Sequence, residues 1–329
     1  MDAEQTTYDP QTKNGKTDSL AKYSNHVNGN ASSCSSLAKS NQAGIEFYVS
    51  LDKELRENVM FLSEDFPIAM YTQSFCHAAG DHIPFHWHEE LQITWVAQGD
   101  LAYCINGDQF TLGSDKLILI RSHQLHSSRT VRQDTRTLCI NFMPEIFHPL
   151  ILQNHIRPFL ENPSFSYTLL PLKPYQVSLL KTYLSWKNEP LGYFSVLNFL
   201  SQIFEEILSE SRENGEPLNY EETKLFHSVL DYVHQHYGEP LTVKQMAGHV
   251  LINKNRLNEL FRKYTNMPPI KYLNEYRLYM AKNLILHTDK PISEISEEVG
   301  FNQLSHFIKQ FRGNYGLSPL KYRNKYGKP

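Results

Sequence analysis

The stretch that decides the fold is ISEISEEVGFNQLSHFIKQF, at residues 292–311. It starts as a short helix, because Ile295 and Val299 are about one helical turn apart. Gly300 then supplies a turn, since glycine adopts positive φ without strain, and Asn302 is a candidate cap for a second helix. A short helix, a glycine turn and a second helix predict a helix-turn-helix, whose second helix enters the major groove of DNA.

The second helix of this unit separates its apolar residues from its polar ones. Phe307 and Phe311 are four positions apart and therefore share the face that packs inward. The residues predicted to point outward are Ser305, Ile308, Lys309 and Arg312. Such a face suits DNA, because an apolar side chain can meet a thymine methyl group and a basic one can meet a phosphate.

A unit of the same layout lies upstream, at residues 241–264. Thr242 is a candidate cap for its first helix and Asn253 for its second. The residues of the second helix predicted to face inward are Leu257, Leu260 and Phe261, and those predicted to face outward are Lys254, Asn255, Asn258, Glu259, Arg262 and Lys263. The asparagines matter because their amide groups can pair with adenine in the major groove.

A helix predicted at residues 270–286 connects the two units. Its length at 1.5 Å per residue is about 25 Å, which makes it a stiff strut. Such a strut can hold the two reading helices in neighbouring major grooves, which lie about 34 Å apart. The tandem arrangement is a far more specific signal for DNA binding than a single unit.

The charge of the chain is divided at the same place. The whole chain has a formal net charge of −3, but residues 222–329 hold 16 Lys and Arg against 9 Asp and Glu. Residues 1–221 hold 16 against 26. A basic segment beside an acidic one is typical of a nucleic-acid-binding domain joined to a partner domain. A basic surface that serves only solubility is the alternative that charge alone leaves open.

Between about residues 45 and 147 the sequence changes to short β-rich runs. The runs cover residues 91–96, 101–105, 117–120 and 137–142. Asn106-Gly107 suits a hairpin turn, because both residues tolerate positive φ. Short strands separated by tight turns predict an antiparallel barrel or sandwich. The predicted fold class is therefore α+β, with an antiparallel β-barrel followed by helices and then an all-α tandem helix-turn-helix domain.

Residues 196–208 carry apolar side chains at helical spacing. This helix packs either on the barrel or against a second subunit.

At the start of the chain the sequence is polar and predicts a disordered leader, because it lacks the apolar surface that offsets ordering entropy. The predicted organisation is a leader at 1–43, a barrel at 44–150, helices at 151–210, a linker at 211–221 and a DNA-binding domain at 222–329.

Several classes of protein are excluded by the composition. No apolar stretch is long enough for a transmembrane helix, and the first thirty residues lack the apolar core of a secretory signal. Cys34, Cys76, Cys104 and Cys139 lie far apart with no C-x-x-C pair, which disfavours disulfides and a cysteine zinc site. We therefore expect a cytoplasmic protein.

Histidines are concentrated in the β-rich segment, where six of the 15 fall between His77 and His126. On one strand, His86, His88 and Gln92 differ by even steps and share a face, and His126 can join them from a later strand. Three interpretations stay open: a metabolite pocket without a metal, a three-histidine metal centre, and histidines with a structural role only.

These features resemble the AraC/XylS family of transcription regulators. The resemblance covers residues 241–323 and is most specific at 292–311 and in the closing run YGLSPLKYR at 315–323. The spacing of His86, His88 and Gln92 is similar to the first motif of the cupin barrels, which fits the sensor half usual in this family. Gln92 stands where metal-binding cupins carry a carboxylate, and this weakens the case for a metal.

Two positions depart from the family pattern. The family usually has glycine in the first turn, where this chain has Leu251, and after the first reading helix, where it has Asn266. Asparagine tolerates the left-handed conformation, but leucine does so less readily. We therefore expect the first unit to sit differently or to read DNA weakly.

The resemblance assigns roles to individual residues. The residues that it implies face bases are Asn255, Asn258 and Glu259 in the first reading helix and Leu304, Ser305, Ile308 and Lys309 in the second. Those that it implies contact phosphate are Lys254, Arg262, Lys263 and Arg312. The candidate effector ligands are His86, His88, Gln92 and His126, with no metal or cofactor and no catalytic residue.

The predicted function is a ligand-responsive transcription regulator that binds specific double-stranded DNA in two adjacent major grooves. A small-molecule effector binds the barrel, and metabolite utilisation genes, carbohydrate genes among them, are the expected targets. The expected protein partners are a second copy of the chain and, for an activator, RNA polymerase. The alternatives are a metal-dependent cupin enzyme that uses His86, His88 and His126, and a non-specific architectural DNA binder.

Overall fold

The first half of the chain folds into two β-sheets. In this computed structural model the described residues are 39–40, 45–46, 59, 61, 66–162, 165–184, 192–210 and 220–327, and all of them belong to one compact unit, Leu37–Pro329. The strands are β1 (Lys39–Ser40), β2 (Ile45–Glu46), β3 (Ile68–Phe75), β4 (His82–His86), β5 (Leu91–Gln98), β6 (Leu101–Ile105), β7 (Asp108–Leu112), β8 (Lys116–Ile120), β9 (His126–Thr130), β10 (Thr135–Phe142) and β11 (Tyr167–Pro171).

The larger sheet has seven strands in the order β1-β2-β3-β10-β5-β8-β11, and the smaller has four in the order β4-β9-β6-β7. All described neighbours run antiparallel except β2 and β3. Val96 and Ile118 of the larger sheet share a buried apolar cluster with Tyr103 and Ile105 of the smaller one. The predicted antiparallel β-domain is therefore confirmed, as two sheets with a common core.

The hairpin between β6 and β7 turns at Asn106-Gly107, as predicted. Both residues have positive φ, 48° and 99°. A Cβ atom at Gly107 would lie 1.9 Å from the carbonyl oxygen of Lys263. Glycine is therefore required here both by the backbone conformation and by the close approach of the helix that carries Lys263.

Helices cover the outer face of the larger sheet and then form the second half of the chain. The helices are α1 (Pro149–Ile151), α2 (Arg157–Leu160), α3 (Pro174–Tyr183), α4 (Gly192–Glu210), α5 (Tyr220–Gln235), α6 (Val243–His249), α7 (Lys254–Thr265), α8 (Pro269–His287), α9 (Ile292–Glu298), α10 (Leu304–Tyr315) and α11 (Pro319–Tyr326), with a π-helical turn at Leu152–Ile156 between α1 and α2. None of the described helices is both long and apolar enough to cross a membrane.

Helix α4 packs on the β-domain. Its residues Leu200 and Ile203 are fully buried in one cluster with Leu91, Ile93 and Trp95, whose side chains leave the larger sheet on the face away from the smaller one. Of the two alternatives for the stripe at 196–208, packing on the β-domain is therefore the one adopted. The stripe reaches the surface at its end, where Leu208 is 37% exposed.

The second half of the chain contains both predicted helix-turn-helix units, α6–α7 and α9–α10, joined by α8. Thr242 caps α6 in a capping box, and Asn253 caps α7 by accepting a hydrogen bond of 2.9 Å from the backbone N–H of Arg256. The prediction that Asn302 caps α10 is wrong. The cap position is Gln303, and its side chain makes no capping hydrogen bond.

The two departures from the family pattern adopt the glycine-like conformation all the same. Leu251 and Asn266 both have a φ of 57°. Asn266 ends α7 in the left-handed region, and Leu251 forms the turn between α6 and α7. The first unit thus keeps the turn geometry that glycine would give, at the expense of strain at Leu251.

The prediction that residues 151–210 are all helical is wrong, because Tyr167–Pro171 forms β11, which pairs with β8 at the edge of the larger sheet. Two further predicted boundaries meet the described residues only in part. Residues 220–221, predicted as linker, lie in α5, and the rest of the linker, 211–219, is outside the described residues. Of the predicted leader, Lys39–Ser40 forms β1, and residues 1–38 and 41–43 are outside the described residues.

Candidate effector site and nucleic-acid interface

The four predicted effector ligands converge between the two sheets. The prediction that His86, His88 and Gln92 share one strand is wrong, because β4 ends at His86 and β5 begins at Leu91. His88 lies in the connection that crosses from the smaller sheet to the larger one. The ring of His126 is nevertheless 4.1 Å from that of His86 and 5.0 Å from that of His88, centroid to centroid. All four side chains are at most 4% exposed.

The backbone orients each of the three imidazole rings. Nδ1 lies 2.9 Å from a carbonyl oxygen in His86, 2.9 Å in His88 and 2.8 Å in His126, and the carbonyl belongs in each case to a residue two positions away. A carbonyl oxygen only accepts hydrogen bonds, so Nδ1 carries the proton. In a neutral ring of this kind, as in His86 and His126, Nε2 is then an acceptor.

Burial keeps two of these rings neutral at pH 7. Desolvation, with repulsion from His88 as a second cause, lowers the pKa of His86 to about 3. Desolvation and repulsion from His86 and His88 hold the pKa of His126 well below its usual value. Within the described part of the chain, no group of three or more His, Cys, Asp or Glu residues is arranged to hold a metal ion.

Sequence reasoning missed most of the polar residues that surround the histidines. Oε1 of Gln92 lies 2.8 Å from Nε2 of His88, and Nε2 of Gln92 donates to Oγ1 of Thr94 at 3.2 Å. Oγ1 of Thr94 lies 3.5 Å from Sγ of Cys139, and this thiol donates to Oε1 of Gln73 at 3.5 Å. The signal was present in the sequence, since polar residues alternate with apolar ones in β5 and β10.

Two polar atoms of this cluster have no hydrogen-bond partner among the described residues. Nε2 of His126 is an acceptor and Nδ2 of Asn141 is a donor, and both are buried and unpaired. The side chain of His126 is 1% exposed and that of Asn141 is fully buried. Leaving such groups unpaired costs on the order of 1–3 kcal/mol each, so a bound molecule that supplied both partners would be stabilised by them.

A separate cleft of about 520 Å³ opens between the outer face of the smaller sheet and helices α7 and α8. Ala102, Thr111 and Arg129 line it on one side, and Lys271 and Glu275 line it on the other. None of the four predicted effector ligands lines this cleft. The histidine cluster and the cleft are therefore on opposite faces of the smaller sheet.

The outer faces of both reading helices are accessible. In α10, Leu304 is 41% exposed, Ser305 and Lys309 are exposed, and Phe307 and Phe311 are fully buried. Ile308, which was predicted to point outward, is half-buried and packs against the apolar cluster of Phe307 and Phe311. In α7 the polar residues that the resemblance implies are also at the surface. Among them Lys254, Asn255, Glu259, Arg262 and Lys263 are exposed and Asn258 is half-buried.

One carboxylate joins α5 to the first reading helix. Glu222 forms ion pairs with Arg256 and with Lys263. Desolvation raises the pKa of the Glu222 carboxyl, but the hydrogen bonds from these two cations outweigh it, so the pKa is lowered. Arg256 also lies 3.3 Å from Glu259. Lys263, implied as a phosphate contact, is thus held by Glu222, and Arg256 is a basic residue of α7 that the sequence reasoning did not assign.

The matches to two protein families agree with this arrangement. Residues 68–219 match the AraC-like ligand binding domain, and residues 246–325 match a helix-turn-helix domain. The uncharacterized regulator YdeC of Bacillus subtilis is 23% identical over 292 residues, which are 83% of this chain and 97% of YdeC. The melibiose operon regulatory protein of Escherichia coli K12 is 24% identical over 258 residues, 72% of this chain and 82% of that protein. The crystal structure of ToxT from Vibrio cholerae covers 80% of this chain and all of its own, with 13% identity and a TM-score of 0.46.

A ligand-binding β-domain followed by two helix-turn-helix units defines a ligand-responsive, DNA-binding transcription regulator. Within this class the chain belongs to the AraC family of regulators.

Proposed function

We propose that the effector of this regulator is an uncharged, polyhydroxylated metabolite that binds between the sheets at His86, His88, Gln92 and His126. The observation that carries the proposal is the pair of unpaired buried atoms, the acceptor Nε2 of His126 and the donor Nδ2 of Asn141. A hydroxyl group both donates and accepts, so a polyol satisfies the two together. The neutral rings of His86 and His126 favour a neutral molecule over an anion.

The biological context of one relative supports this chemistry. The melibiose operon regulatory protein is named for an operon that concerns a sugar, and we infer that this chain controls genes for the use of a neutral carbohydrate or polyol. A regulator of such genes acts in the cytoplasm, where the DNA lies.

Thermal unfolding with paired compounds tests the effector class. Neutral sugars and polyols are compared with their carboxylate counterparts, for example galactose with galacturonate and glucitol with gluconate. We expect at least one neutral compound to raise the melting temperature and its carboxylate counterpart to leave it unchanged. The shift is expected to vanish in His126→Phe and Asn141→Leu and to persist in His249→Phe, which alters an exposed histidine of α6 outside the cluster. A shift with the carboxylate alone would contradict the proposal.

We further propose that both units read DNA, with Asn255, Asn258 and Glu259 facing bases in one groove and Leu304, Ser305, Ile308 and Lys309 in the next. The exposure of most of these residues supports this, with Asn258 and Ile308 half-buried. Phosphate contacts from Lys254, Arg262, Lys263 and Arg312 fix the register. Selection of random DNA fragments on the full-length protein is expected to recover two short sequence blocks about one helical turn apart. Recovery of a single block would contradict the two-unit proposal.

A homodimer is the proposed assembly. A groove of about 420 Å³ is lined by residues of α1 and α4, among them Ile151, Phe204 and Leu208. Ile151 is 48% and Leu208 37% exposed, and a second copy would cover these apolar side chains. Sedimentation analysis is expected to show a dimer that Ile151→Glu converts to a monomer.

As an activator, the dimer would contact RNA polymerase, and transcription in vitro with the purified enzyme tests that contact.

A further inference from the structure

Two separate patches of the β-domain contact the two helix-turn-helix units. The first, here called the linking patch, consists of Phe85, Trp87, Gly107 and Leu125. The second, the anchor patch, consists of Ala78, Ala79 and Asp81. The linking patch contacts α7 of the first unit and also α5 and α8, which pack on that unit. The anchor patch contacts the end of α8 and α11, beside the second unit.

The linking patch enters the core of the first unit. Phe85 and Leu125, 6% and 0% exposed, belong to the apolar cluster that α5, α6, α7 and α8 form. The ring of Phe85 is 6.1 Å from that of Tyr272. Trp87 stacks on His227 of α5, with centroids 5.5 Å apart and an interplanar angle of 6°. A displacement of these side chains therefore displaces the helices around them, because cores are close-packed.

The same two chain segments carry the histidines of the effector site. His86 and His88 alternate with Phe85 and Trp87, and Leu125 directly precedes His126. Successive side chains of an extended chain point to opposite sides. One side chain thus belongs to the effector site and the next to the core of the first unit.

The turn of the β6–β7 hairpin adds a contact of the same kind. The backbone N–H of Asn106 donates to the carbonyl of Leu125 at 3.0 Å, and Ile105 pairs with His126. On the other side of the turn, Nδ2 of Asn266 donates to the carbonyl of Gly107 at 2.7 Å. The turn therefore joins the strand of His126 to the end of the first reading helix.

The two patches differ in how completely their polar groups are paired. In the anchor patch, Asp81 forms an ion pair of 2.5 Å with Lys282, whose side chain is 7% exposed. The hydroxyl of Tyr322 donates to the carbonyl of Ala79 at 2.8 Å, and that of Tyr326 donates to the carbonyl of Ala78 at 3.0 Å. One buried hydroxyl close to this patch, that of Tyr315, has no partner among the residues that the structure describes.

In the linking patch, by contrast, Nε1 of Trp87 and Nε2 of His227 are both buried without a hydrogen-bond partner in the part of the chain that the structure describes. Unpaired buried groups weaken a contact, since both find partners in water when the contact opens. The anchor patch is thus fastened by an ion pair and two hydrogen bonds, whereas the linking patch carries two unpaired polar groups that oppose its apolar burial.

We propose that effector binding between the sheets repositions the first helix-turn-helix unit through the linking patch, while the anchor patch holds the second unit in place. This proposal rests on the proposed effector site. Under this proposal the effector changes the affinity of the first reading helix for its block of DNA while the second reading helix is already bound to its own block. The effector shifts this equilibrium because its affinity for the site between the sheets differs between the two positions of the linking patch.

The test uses a substitution in the effector site in place of an effector. Gln92→Glu puts a carboxylate beside His88 and perturbs the cluster directly. The DNA is a duplex that carries both selected blocks, and the control duplex has the first block scrambled. We expect Gln92→Glu in the full-length protein to change the Kd for the two-block duplex by about fivefold or more and to leave the Kd for the control duplex unchanged.

Removal of the linking contact is expected to abolish this effect. In a Trp87→Leu background, Gln92→Glu should no longer alter the Kd for the two-block duplex. In a Tyr326→Phe background, which removes one hydrogen bond of the anchor patch, the effect should persist. If Trp87→Leu fails to fold, as judged by its melting curve, His227→Ala removes the same stack from the other side.

Three results would overturn the proposal: an equal effect of Gln92→Glu with and without Trp87, an equal effect on both duplexes, or no effect on either. No effector enters this test. A failure of neutral sugars to bind therefore counts against the proposed effector class alone, and a failure of the linking patch is read from the DNA affinities alone.

Discussion

Leu251 holds a backbone conformation that leucine rarely adopts. Its φ is 57° and its side chain is 92% exposed, so packing does not compensate for the strain. The left-handed region costs an L-residue roughly 1–2 kcal/mol. We expect Leu251→Gly to raise the free energy of unfolding by about 1 kcal/mol, because glycine removes most of that strain. Urea unfolding of the full-length protein measures the change.

Asn266 provides the matched control, because it has the same φ. Its amide donates to the carbonyl of Gly107, so Asn266→Gly loses a hydrogen bond of about 1 kcal/mol as it relieves strain. The expected net change is close to zero. Equal stabilisation by both substitutions would show that the hydrogen bond contributes nothing, and a destabilised Leu251→Gly would contradict the strain argument.

Buried histidines set the response of the protein to acid. Desolvation lowers the pKa of His86 to about 3 and that of His234 to about 3 from an ordinary value of 6.5. The unfolded chain therefore binds more protons than the folded one between these values. The stability that these two neutral histidines contribute is complete above pH 6.5 and is lost as the pH falls from 6.5 towards 3. At pH 5 each histidine is expected to lower the free energy of unfolding by about 2 kcal/mol relative to pH 7.

Chemical unfolding at pH 7 and pH 5 checks this expectation. His234→Gln removes the titrating ring but keeps a polar group near the hydroxyl of Tyr272, to which Nε2 of His234 lies at 2.7 Å. We expect the variant to lose about 2 kcal/mol less than the wild type over this interval. An unchanged pH dependence would mean that His234 is not buried neutral.

At the scale of the element, each reading helix presents a surface in which neighbouring residues have different tasks. In α10, Lys309 and Arg312 are both exposed, but only Lys309 is proposed to face a base. We expect Lys309→Ala to lower affinity by about 1–3 kcal/mol and to relax sequence preference at one position. Arg312→Ala should instead weaken binding to all sequences and reduce the salt slope by about one. Binding assays on a set of single-base variants at several salt concentrations separate the two. Identical profiles for the two variants would contradict the assignment.

At the scale of the whole molecule, the β-domain supplies part of the core of the DNA-binding half. Phe85 and Leu125 are buried among α5 to α8, and Ala79 is buried beside α10 and α11. A fragment of residues 222–329 exposes the surfaces that these side chains cover. Burying a side chain such as phenylalanine or leucine contributes about 1.5–3 kcal/mol, so the fragment is expected to be less stable than the same region in the full chain by about 3 kcal/mol or more.

Hydrogen exchange of α7 and α8 in the full-length protein and in the fragment measures this difference. Phe85→Ala in the full chain is expected to reproduce part of it. Equal protection in the two forms would mean that the β-domain rests on the DNA-binding half without stabilising it.

Local sequence was sufficient for the helix-turn-helix units and for several caps and turns, but not for β11, which lies in a segment predicted as helices. The periodicity of Phe307 and Phe311, the caps Thr242 and Asn253, and the Asn106-Gly107 turn depend on a few adjacent residues. Each of these predictions is confirmed. The cap predicted at Asn302 is wrong, because Asn302 and Gln303 are adjacent and a polar residue alone does not fix which of them precedes the first helical turn.

The candidate effector site shows where local reasoning ends. The four predicted ligands do meet, but His86 and Gln92 lie on different sheets, and even spacing along the chain was not the reason for their proximity. Gln73 and Asn141 join them through the pairing of β10 with β3 and β5. Pairing between distant strands depends on which sheet each strand enters, and periodicity does not record this.

The sequence by itself determined the class of protein, because helix-turn-helix units, turns and strands are specified by short-range patterns of apolar, polar and glycine residues. The tertiary structure alone decided that α4 covers the larger sheet, that the histidines form a closed polar cluster, and that Phe85, Trp87 and Leu125 enter the core of the first helix-turn-helix unit. The physical reason is that burial depends on long-range packing. An apolar residue must be covered, but the residue gives no indication of which distant element will cover it.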